Sequence, residues 1–210
     1  TRNGIQLAVD EANRKGGVQG KTLRIVAQDD EGVPEKAAKA VEQLAAQNKI
    51  VAVLGTSASS RTLVMAPAAQ ALKIPMVTSA STHPKVTQTG DYIFRVCFIY
   101  TFQGPVMAQF MRKDLGVRRI AILRDLDTPY SMTLAEFFKR TFIRLGGDVV
   151  SDQTYHAGAT SFEKQLAVIA KLKPEALYAP AYYSDIAHLA EPARSMGVQA
   201  TFSGGDGWDS

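Results

Sequence analysis

The chain has 210 residues, and its 24 Lys and Arg against 20 Asp and Glu leave a formal net charge of +4. With 46% hydrophobic and 21% charged residues it has the composition of an ordinary globular protein of one large or two small domains, which excludes disorder, collagen and coiled coil. No apolar run approaches the roughly 18 residues of a membrane helix, and the basic residues form no stripe of the kind that nucleic-acid binding needs, so we expect neither a membrane span nor a nucleic-acid partner.

Short apolar or β-branched runs alternate with helical stretches along the whole chain. We predict strands at 22–28, 50–54, 75–78, 92–96, 119–124, 148–154, 176–180 and 200–203. We predict helices at 4–15, 34–48, 60–73, 104–115, 130–145, 161–172 and 184–196. Pro34 suits a first helical turn, where its missing N–H has no partner to lose, and Gly16 and Gly146 suit left-handed helix ends. This alternation predicts an α/β fold with parallel sheets covered on both faces.

The order of elements is that of two successive α/β units with a boundary near 97–104. We therefore expect a first lobe over 1–101 and a second over 102–210. A parallel sheet is usually entered by a strand, yet this chain begins inside a helix, with Thr1 instead of Met, and stops directly after a strand. We expect it to be part of a longer protein that is truncated at both ends.

Ligands of open parallel sheets bind beyond the carboxyl ends of the strands. Two loops at such positions, 55–60 and 79–84, are rich in hydroxyl groups and lead toward helices, whose first N–H groups suit a carboxylate or phosphate. Ser and Thr are also common there purely as helix caps. The loops at 125–130, 181–183 and 204–207 supply tyrosines and Asp206, whose aromatic faces and carboxylate suit an ammonium group. Together the loops describe a site for a zwitterion.

Signals for catalysis or a metal are poor. The sequence has no glycine-rich nucleotide motif and no zinc motif of the H-E-x-x-H type. Residues 55–59 miss the G-x-S-x-G nucleophile elbow at their last position, and the histidines that could serve as base are His83, His156 and His188. A serine hydrolase is therefore the enzymatic alternative.

The remaining candidates for a metal or redox role are acidic or thiol groups. Asp29 and Asp30 have no third ligand at useful spacing, so we expect a solvated strand end there. Cys97 is the single cysteine, which excludes an internal disulfide and does not decide the compartment. We expect no cofactor and no metal.

Six segments, taken in chain order, are informative together: GIQLAVDEANRKGGVQGKTLRIVAQDDEGVPEKAAKAVEQL, VAVLGTSASS, IPMVTSASTHP, DYIFRV, GDVVSDQTYHAGATSFEKQL and GGDGWDS. This series resembles the extracytoplasmic solute-binding proteins of branched-chain amino-acid ABC transporters, the leucine/isoleucine/valine-binding type. The resemblance implies a periplasmic-binding-protein type 1 fold, with two Rossmann-like lobes joined by a hinge and closing on the ligand.

The resemblance also implies roles for residues of the first lobe. Ser59 corresponds to the serine that receives the ligand carboxylate through its hydroxyl and backbone N–H. Ala80, Ser81 and Thr82 match the next binding loop, where the carbonyl of Ala80 takes the ammonium and the hydroxyl of Thr82 reaches the ligand. Arg61 stands where many relatives have a small residue, and it either adds a charge beside this site or points to solvent.

In the second lobe the resemblance assigns three residues. Tyr130 matches the tyrosine that follows a D-x-x-x-Y turn, although the turn from Asp125 is one residue longer here. Tyr182 matches the tyrosine that closes over the ligand, and Asp206 takes the place of the acidic residue that pairs with the ammonium. The family's first strand and roughly its last third have no counterpart in the chain, so the parts that select the ligand side chain are missing.

Three functional hypotheses follow from these residues. The first is a binding protein that captures an amino acid or similar small carboxylate outside the cytoplasm, free or lipid-anchored, and delivers it to a membrane permease. The second is a ligand-sensing domain of a regulator with the same fold. The third is the hydrolase, which turnover of an ester substrate would favour.

Overall fold

The computed structural model of the protein describes residues 1–208, without the side chain of Asn48. It divides into two compact units, Thr1–Cys97 and a second that begins at Phe98. The division lies four residues before the boundary expected between lobes 1–101 and 102–210. The last two residues of the expected second lobe, 209 and 210, lie outside the described residues. No helix within residues 1–208 has both the length and the apolar character for crossing a bilayer.

The first unit is built around a small parallel sheet with strand order β1-β2-β3. Its elements are α1 (Arg2–Arg14), α2 (Pro34–Asn48), β1 (Val53–Leu54), α3 (Ser59–Ala71), β2 (Met76–Thr78), a 3₁₀ turn (Pro84–Val86) and β3 (Ile93–Arg95). The observed strands are shorter than the predicted ones but lie within the same segments. Because β1, β2 and β3 are parallel, their carboxyl ends lie at one edge of the sheet.

Among residues 1–208, only one face of this sheet is well covered. Val53, Met76 and Ile93 lie side by side in register and are buried against residues of α2 and α3. On the other face Leu54, which pairs with Val77, and Phe94 are 52% and 50% exposed. The prediction that both faces of the sheet are covered is therefore wrong for this unit. The helix that remains in residues 1–97, α1, buries none of its residues and so does not cover the second face.

The strand predicted at 22–28 is absent from the structure. Asn13 of α1 makes the two hydrogen bonds that a neighbouring strand would make there, donating to the carbonyl of Leu23 (2.9 Å) and accepting from its N–H (2.8 Å). A β-rich pattern favours an extended backbone, but a strand also needs a partner for its N–H and C=O groups. No strand within residues 1–208 pairs with this segment, so the prediction of a strand is wrong.

The second unit contains a parallel sheet with strand order β5-β4-β6-β7. Its elements are α4 (Tyr100–Gln109) with a following π-helical turn (Phe110–Asp114), β4 (Arg119–Asp125), α5 (Pro129–Arg144), β5 (Asp148–Tyr155), α6 (Glu163–Leu172), β6 (Ala176–Tyr178), α7 (Tyr183–Ser195), β7 (Thr201–Ser203) and a 3₁₀ turn (Asp206–Trp208). All strands and helices predicted for this half are present, with bounds that differ by up to four residues when the π-helical turn is counted with α4.

Both faces of this second sheet are covered, as expected. Along β4, Ile120 and Ile122 point into a cluster with residues of α4 and α5, including Phe138. Ala121 and Leu123 point into the opposite cluster, with residues of α6 and α7. The continuous apolar run of β4 is therefore that of a central strand buried on both sides. A core on each face holds the carboxyl ends of these strands in fixed positions.

Candidate ligand-binding site

The first turn of α3 has no side-chain cap. Its preceding residue, Ala58, has extended backbone and a side chain without a hydrogen-bonding atom, and no side chain caps the helix N-terminus. The N–H groups of the first turn have no acceptor within the helix. The helix N-terminus is therefore suited to an external anion, and capping does not account for the hydroxyl groups of this loop.

A buried hydroxyl network holds the loop that precedes α3. The hydroxyl oxygens of Thr62, Thr78 and Ser81 lie 3.2, 2.6 and 3.0 Å from the carbonyl oxygen of Thr56. The hydroxyls of Ser81 and Thr62 also contact each other. Ser81, which was predicted to contact ligand, is fully buried among these groups. Its role in binding stays a prediction, while its observed contacts tie the two loops together.

Ser59 and Thr82 are the buried hydroxyl residues that remain at this edge. Ser59, the first residue of α3, is 2% exposed, and its Oγ accepts the backbone N–H of His83 at 3.3 Å. The Oγ1 of Thr82 is buried and has no hydrogen-bond partner among residues 1–208. A buried hydroxyl without a partner costs free energy, so Thr82 is the side chain here that most needs a further polar group.

Arg61 does not point to solvent, which corrects one of the two expectations for it, while its charge beside the carboxylate site stays a prediction. Its Nη1 lies 3.0 Å from Oδ1 of Asp30, and the two side chains are 21% and 17% exposed. Asp30 also accepts the N–H of Gly32 at 2.9 Å. The expectation of a solvated strand end is thus wrong for Asp30, because burial of a carboxylate requires a partner and Arg61 supplies it.

No nucleophile elbow forms at 55–59. The hydroxyl of Ser57 has no hydrogen bond to a histidine among residues 1–208, and Nδ1 of His83 accepts the N–H of Lys85 at 3.1 Å. Burial, followed by the charges of Lys85 and Arg95, lowers the pKa of His83 below its usual 6.5. Among residues 1–208, no histidine is therefore placed as a hydrogen-bonded base for Ser57.

In the second unit the structure brings three predicted residues together. Tyr130, Tyr182 and Asp206 follow the carboxyl ends of β4, β6 and β7 respectively. The hydroxyl of Tyr130 donates to Oδ1 of Asp206 at 2.9 Å and accepts the N–H of Gly207 at 2.9 Å. The rings of Tyr130 and Tyr182 stack with centroids 5.0 Å apart. Burial, together with the Asp206 carboxylate, raises the pKa of Tyr130, which keeps its hydroxyl protonated as a donor.

A second polar cluster at the same edge was not predicted. The hydroxyl of Tyr155, which ends β5, donates to Oδ2 of Asp185 in the first turn of α7 at 3.0 Å. Asp125, which ends β4, is 2% exposed, and burial raises the pKa of its carboxyl. Only the position of Asp125 and Tyr155 at strand ends could have indicated these residues from the sequence.

Each unit therefore has its own set of polar groups. The first offers uncapped helix N–H groups and hydroxyls, which suit a carboxylate. The second offers a carboxylate beside stacked aromatic rings, which suits an ammonium. No group of three or more His, Cys, Asp or Glu side chains able to hold a metal occurs in the part of the chain that the structure describes.

The fold and the polar groups at the strand ends agree with the sequence comparison: the chain belongs to the periplasmic binding protein family, whose sequence pattern matches residues 1–210. The resemblance and the fold class inferred from the sequence are both confirmed.

Three proteins illustrate the similarity. The Leu/Ile/Val-binding protein of Escherichia coli K12 is 29% identical over 205 residues, which are 97% of this chain and 55% of that protein. A leucine-binding protein of Thermotoga maritima, solved by crystallography, is 38% identical with a TM-score of 0.91, over 99% of this chain and 58% of the other. A branched-chain amino-acid transporter substrate-binding protein of Streptococcus pneumoniae, in complex with isoleucine, is 29% identical with a TM-score of 0.94, over 99% and 59%. The chain thus spans little more than half the length of the relatives it matches.

Proposed function

We propose that this protein binds an amino acid with a branched or similar apolar side chain, or a related small carboxylate, and delivers it to the permease of an ABC transporter. The observation that carries the proposal is the convergence of Tyr130, Tyr182 and Asp206 at one sheet edge. The relatives named for leucine, isoleucine and valine supply the ligand class and favour transport over a sensing role.

The carboxylate end of the ligand is assigned to the first unit. The first N–H groups of α3 and the hydroxyl of Ser59 would donate to it, and the hydroxyl of Thr82 would gain the partner it lacks. The backbone of Ala80 is in the same loop and would accept from the ammonium. Charge-assisted hydrogen bonds of this kind are about twice as strong as neutral ones.

The ammonium end is assigned to Asp206. The hydrogen bond from Tyr130 holds one of its carboxylate oxygens, and the stacked rings of Tyr130 and Tyr182 provide an aromatic surface beside the charge. Binding would then favour those conformations of the protein in which both sets of residues reach the ligand, since a ligand shifts an equilibrium by its differential contacts.

The proposal includes binding without turnover and a location outside the cytoplasm. The family description supports the location, and binding without turnover is consistent with a Ser57 hydroxyl that is hydrogen-bonded to no histidine among residues 1–208. A lipid anchor is compatible with this role.

Calorimetric titration with the twenty standard amino acids tests the function. We expect measurable binding for leucine, isoleucine or valine and weaker or no binding for charged amino acids, because the observed groups satisfy only the carboxylate and ammonium. 4-Methylpentanoate, which is leucine without its amine, is the matched control and should bind more weakly than leucine. The proposal fails if no amino acid and no small carboxylate binds.

A further inference from the structure

Arg95 gathers the loop that follows β2. It is the last residue of β3 and lies in register beside Thr78, the last residue of β2. Its Nη1 donates to the carbonyls of Ser81 and His83, both at 2.9 Å. Its Nη2 donates to the carbonyl of Pro84 at 3.0 Å and to Oγ1 of Thr87 at 2.8 Å. One guanidinium therefore holds four acceptors from a segment of seven residues.

These hydrogen bonds enclose a proposed ligand contact. The carbonyls of Ser81 and His83, which Arg95 holds, belong to the residues on either side of Thr82. The N–H of His83 donates to Oγ of Ser59, so the same loop also holds the hydroxyl at the start of α3. A displacement of this loop would move both hydroxyls.

Only an arginine can make this set of contacts. The guanidinium is planar and presents its donors in a rigid fork, whereas a lysine ammonium is a compact point charge. Hydrogen bonds from a charged donor are stronger than neutral ones. The loop between β2 and the 3₁₀ turn at Pro84 has no strand partner among residues 1–208, so Arg95 holds it together with the hydrogen bonds of Ser81.

We propose that Arg95 is a positioning residue for ligand binding, which holds Ser81–Pro84 so that the hydroxyls of Thr82 and Ser59 are in place before the ligand arrives. Such preorganisation strengthens binding because less ordering of the loop remains to be done when the ligand binds. The proposal rests on the proposed function, since it assigns Arg95 to the same site.

Arg119 provides a matched control. Its guanidinium also donates to backbone carbonyls of a loop, those of Leu172 (2.9 Å) and Lys173 (3.3 Å). It begins β4 and therefore lies at the amino end of its strand, away from the carboxyl edge that carries the proposed contacts. Loss of Arg119 removes the same kind of hydrogen bond without touching the proposed site.

The test compares Arg95→Met, Arg95→Lys and Arg119→Met with the wild type. Calorimetry is run with the amino acid that the wild type binds, at a temperature where circular dichroism shows each protein folded. We expect the Kd to rise about 30-fold or more in Arg95→Met and about 3- to 10-fold in Arg95→Lys, since lysine keeps the charge but not the fork. We expect Arg119→Met to lower the Tm and to leave the Kd within about twofold.

Amide hydrogen exchange of 79–84 in the ligand-free proteins is the second measurement. Arg95→Met should exchange faster than wild type in this segment, and Arg119→Met should not. A purely structural Arg95 would lower the Tm and leave both the Kd and this exchange unchanged, which overturns the proposal. If Arg95→Met does not fold, the Kd and exchange of Arg95→Lys decide. If the wild type binds no amino acid or carboxylate, the proposed function is refuted. If the exchange of 79–84 in Arg95→Met is then also unchanged from wild type, the positioning role is refuted separately.

Discussion

In the proposed site, Asp206 is the residue on which the choice between an amino acid and a simple carboxylate would depend. Its Oδ1 already accepts the hydroxyl of Tyr130, so the carboxylate is held in one orientation with its remaining acceptor positions open to an ammonium. Stacking of Tyr130 on Tyr182 keeps a flat aromatic surface beside it. In the proposed site, the charge of Asp206 and this aromatic surface would together discriminate a protonated amine from a neutral group.

Asp206→Ala should weaken amino-acid binding by about 2–5 kcal/mol, because the ligand ammonium would be desolvated without its partner. Asp206→Asn keeps an acceptor for Tyr130 but removes the charge, so it should lose most of the same affinity. Calorimetry with leucine and 4-methylpentanoate measures both effects, and the carboxylate should lose much less than leucine. Equal losses for the two ligands would contradict the assignment.

Asp125, at the same sheet edge, is a buried carboxyl group that destabilises the folded state when it is ionised. Burial raises the pKa of its carboxyl above 3.8, although the N–H of Asp127 donates to it and opposes the shift. The folded state therefore binds the proton more tightly than the unfolded chain, and stability falls as the pH rises from 3.8 through the folded pKa. The ionised form of this buried carboxylate therefore lowers the free energy of unfolding.

We consequently expect the free energy of unfolding of Asp125→Asn, minus that of wild type, to be larger at pH 7 than at pH 3.5. Asparagine keeps the acceptor for the N–H of Asp127 and removes the buried charge. Urea unfolding of both proteins at the two pH values gives the difference directly. If the stability of the variant relative to wild type instead rises as the pH falls, burial is not the dominant effect on the pKa of this carboxyl.

At the scale of elements, the helix N-termini differ in a way that matters for binding. Thr128 caps α5, since its Oγ1 accepts the N–H of Ser131 at 3.4 Å. The N-terminus of α3 has no such cap. A side-chain cap pairs with a backbone N–H of the first helical turn. The uncapped N-terminus of α3 therefore has more N–H donors available to an anion than that of α5.

Ser59→Ala removes one hydroxyl from the start of α3 and leaves the backbone N–H groups in place. We expect binding to weaken by about 1.5–3 kcal/mol, the worth of a hydrogen bond to a charged group, and not to be abolished. Calorimetry checks the size of the loss, and Ser60→Ala, one residue further along the same turn, is the control. An ester-hydrolysing activity that disappears in Ser57→Ala would instead favour the hydrolase.

For the whole molecule, reversible binding predicts that ligand stabilises the folded state without being consumed. At a free ligand concentration of 100 times Kd the stabilisation is about 2.7 kcal/mol, and it grows further with concentration. Thermal unfolding with increasing leucine should show a Tm that keeps rising, and the rise should be much smaller in Asp206→Ala. Mass spectrometry after incubation should recover the amino acid unchanged, and a chemically altered ligand would contradict simple binding.

The alternation of strands and helices could be read from the sequence because it depends on local periodicity. The buried run of β4, and Pro34 at the first position of α2, identify their elements without reference to distant residues. The rule that ligands bind beyond parallel strand ends then sufficed to select the loops of Ser59, Thr82, Tyr130, Tyr182 and Asp206. The structure brings the last three together, as that rule predicts.

Contacts between distant residues were decided only by the tertiary structure. Residues 22–28 have the pattern of a strand, but pairing requires a neighbour that local sequence does not specify, and Asn13 takes that place. Arg61 pairs with Asp30, which is 31 residues away, and Arg95 reaches back across 8 to 14 residues to the loop of Thr82. Periodicity and propensity report which element a residue joins. Which buried charges pair with each other, and which side chains hold a loop in place, depends on how the elements pack.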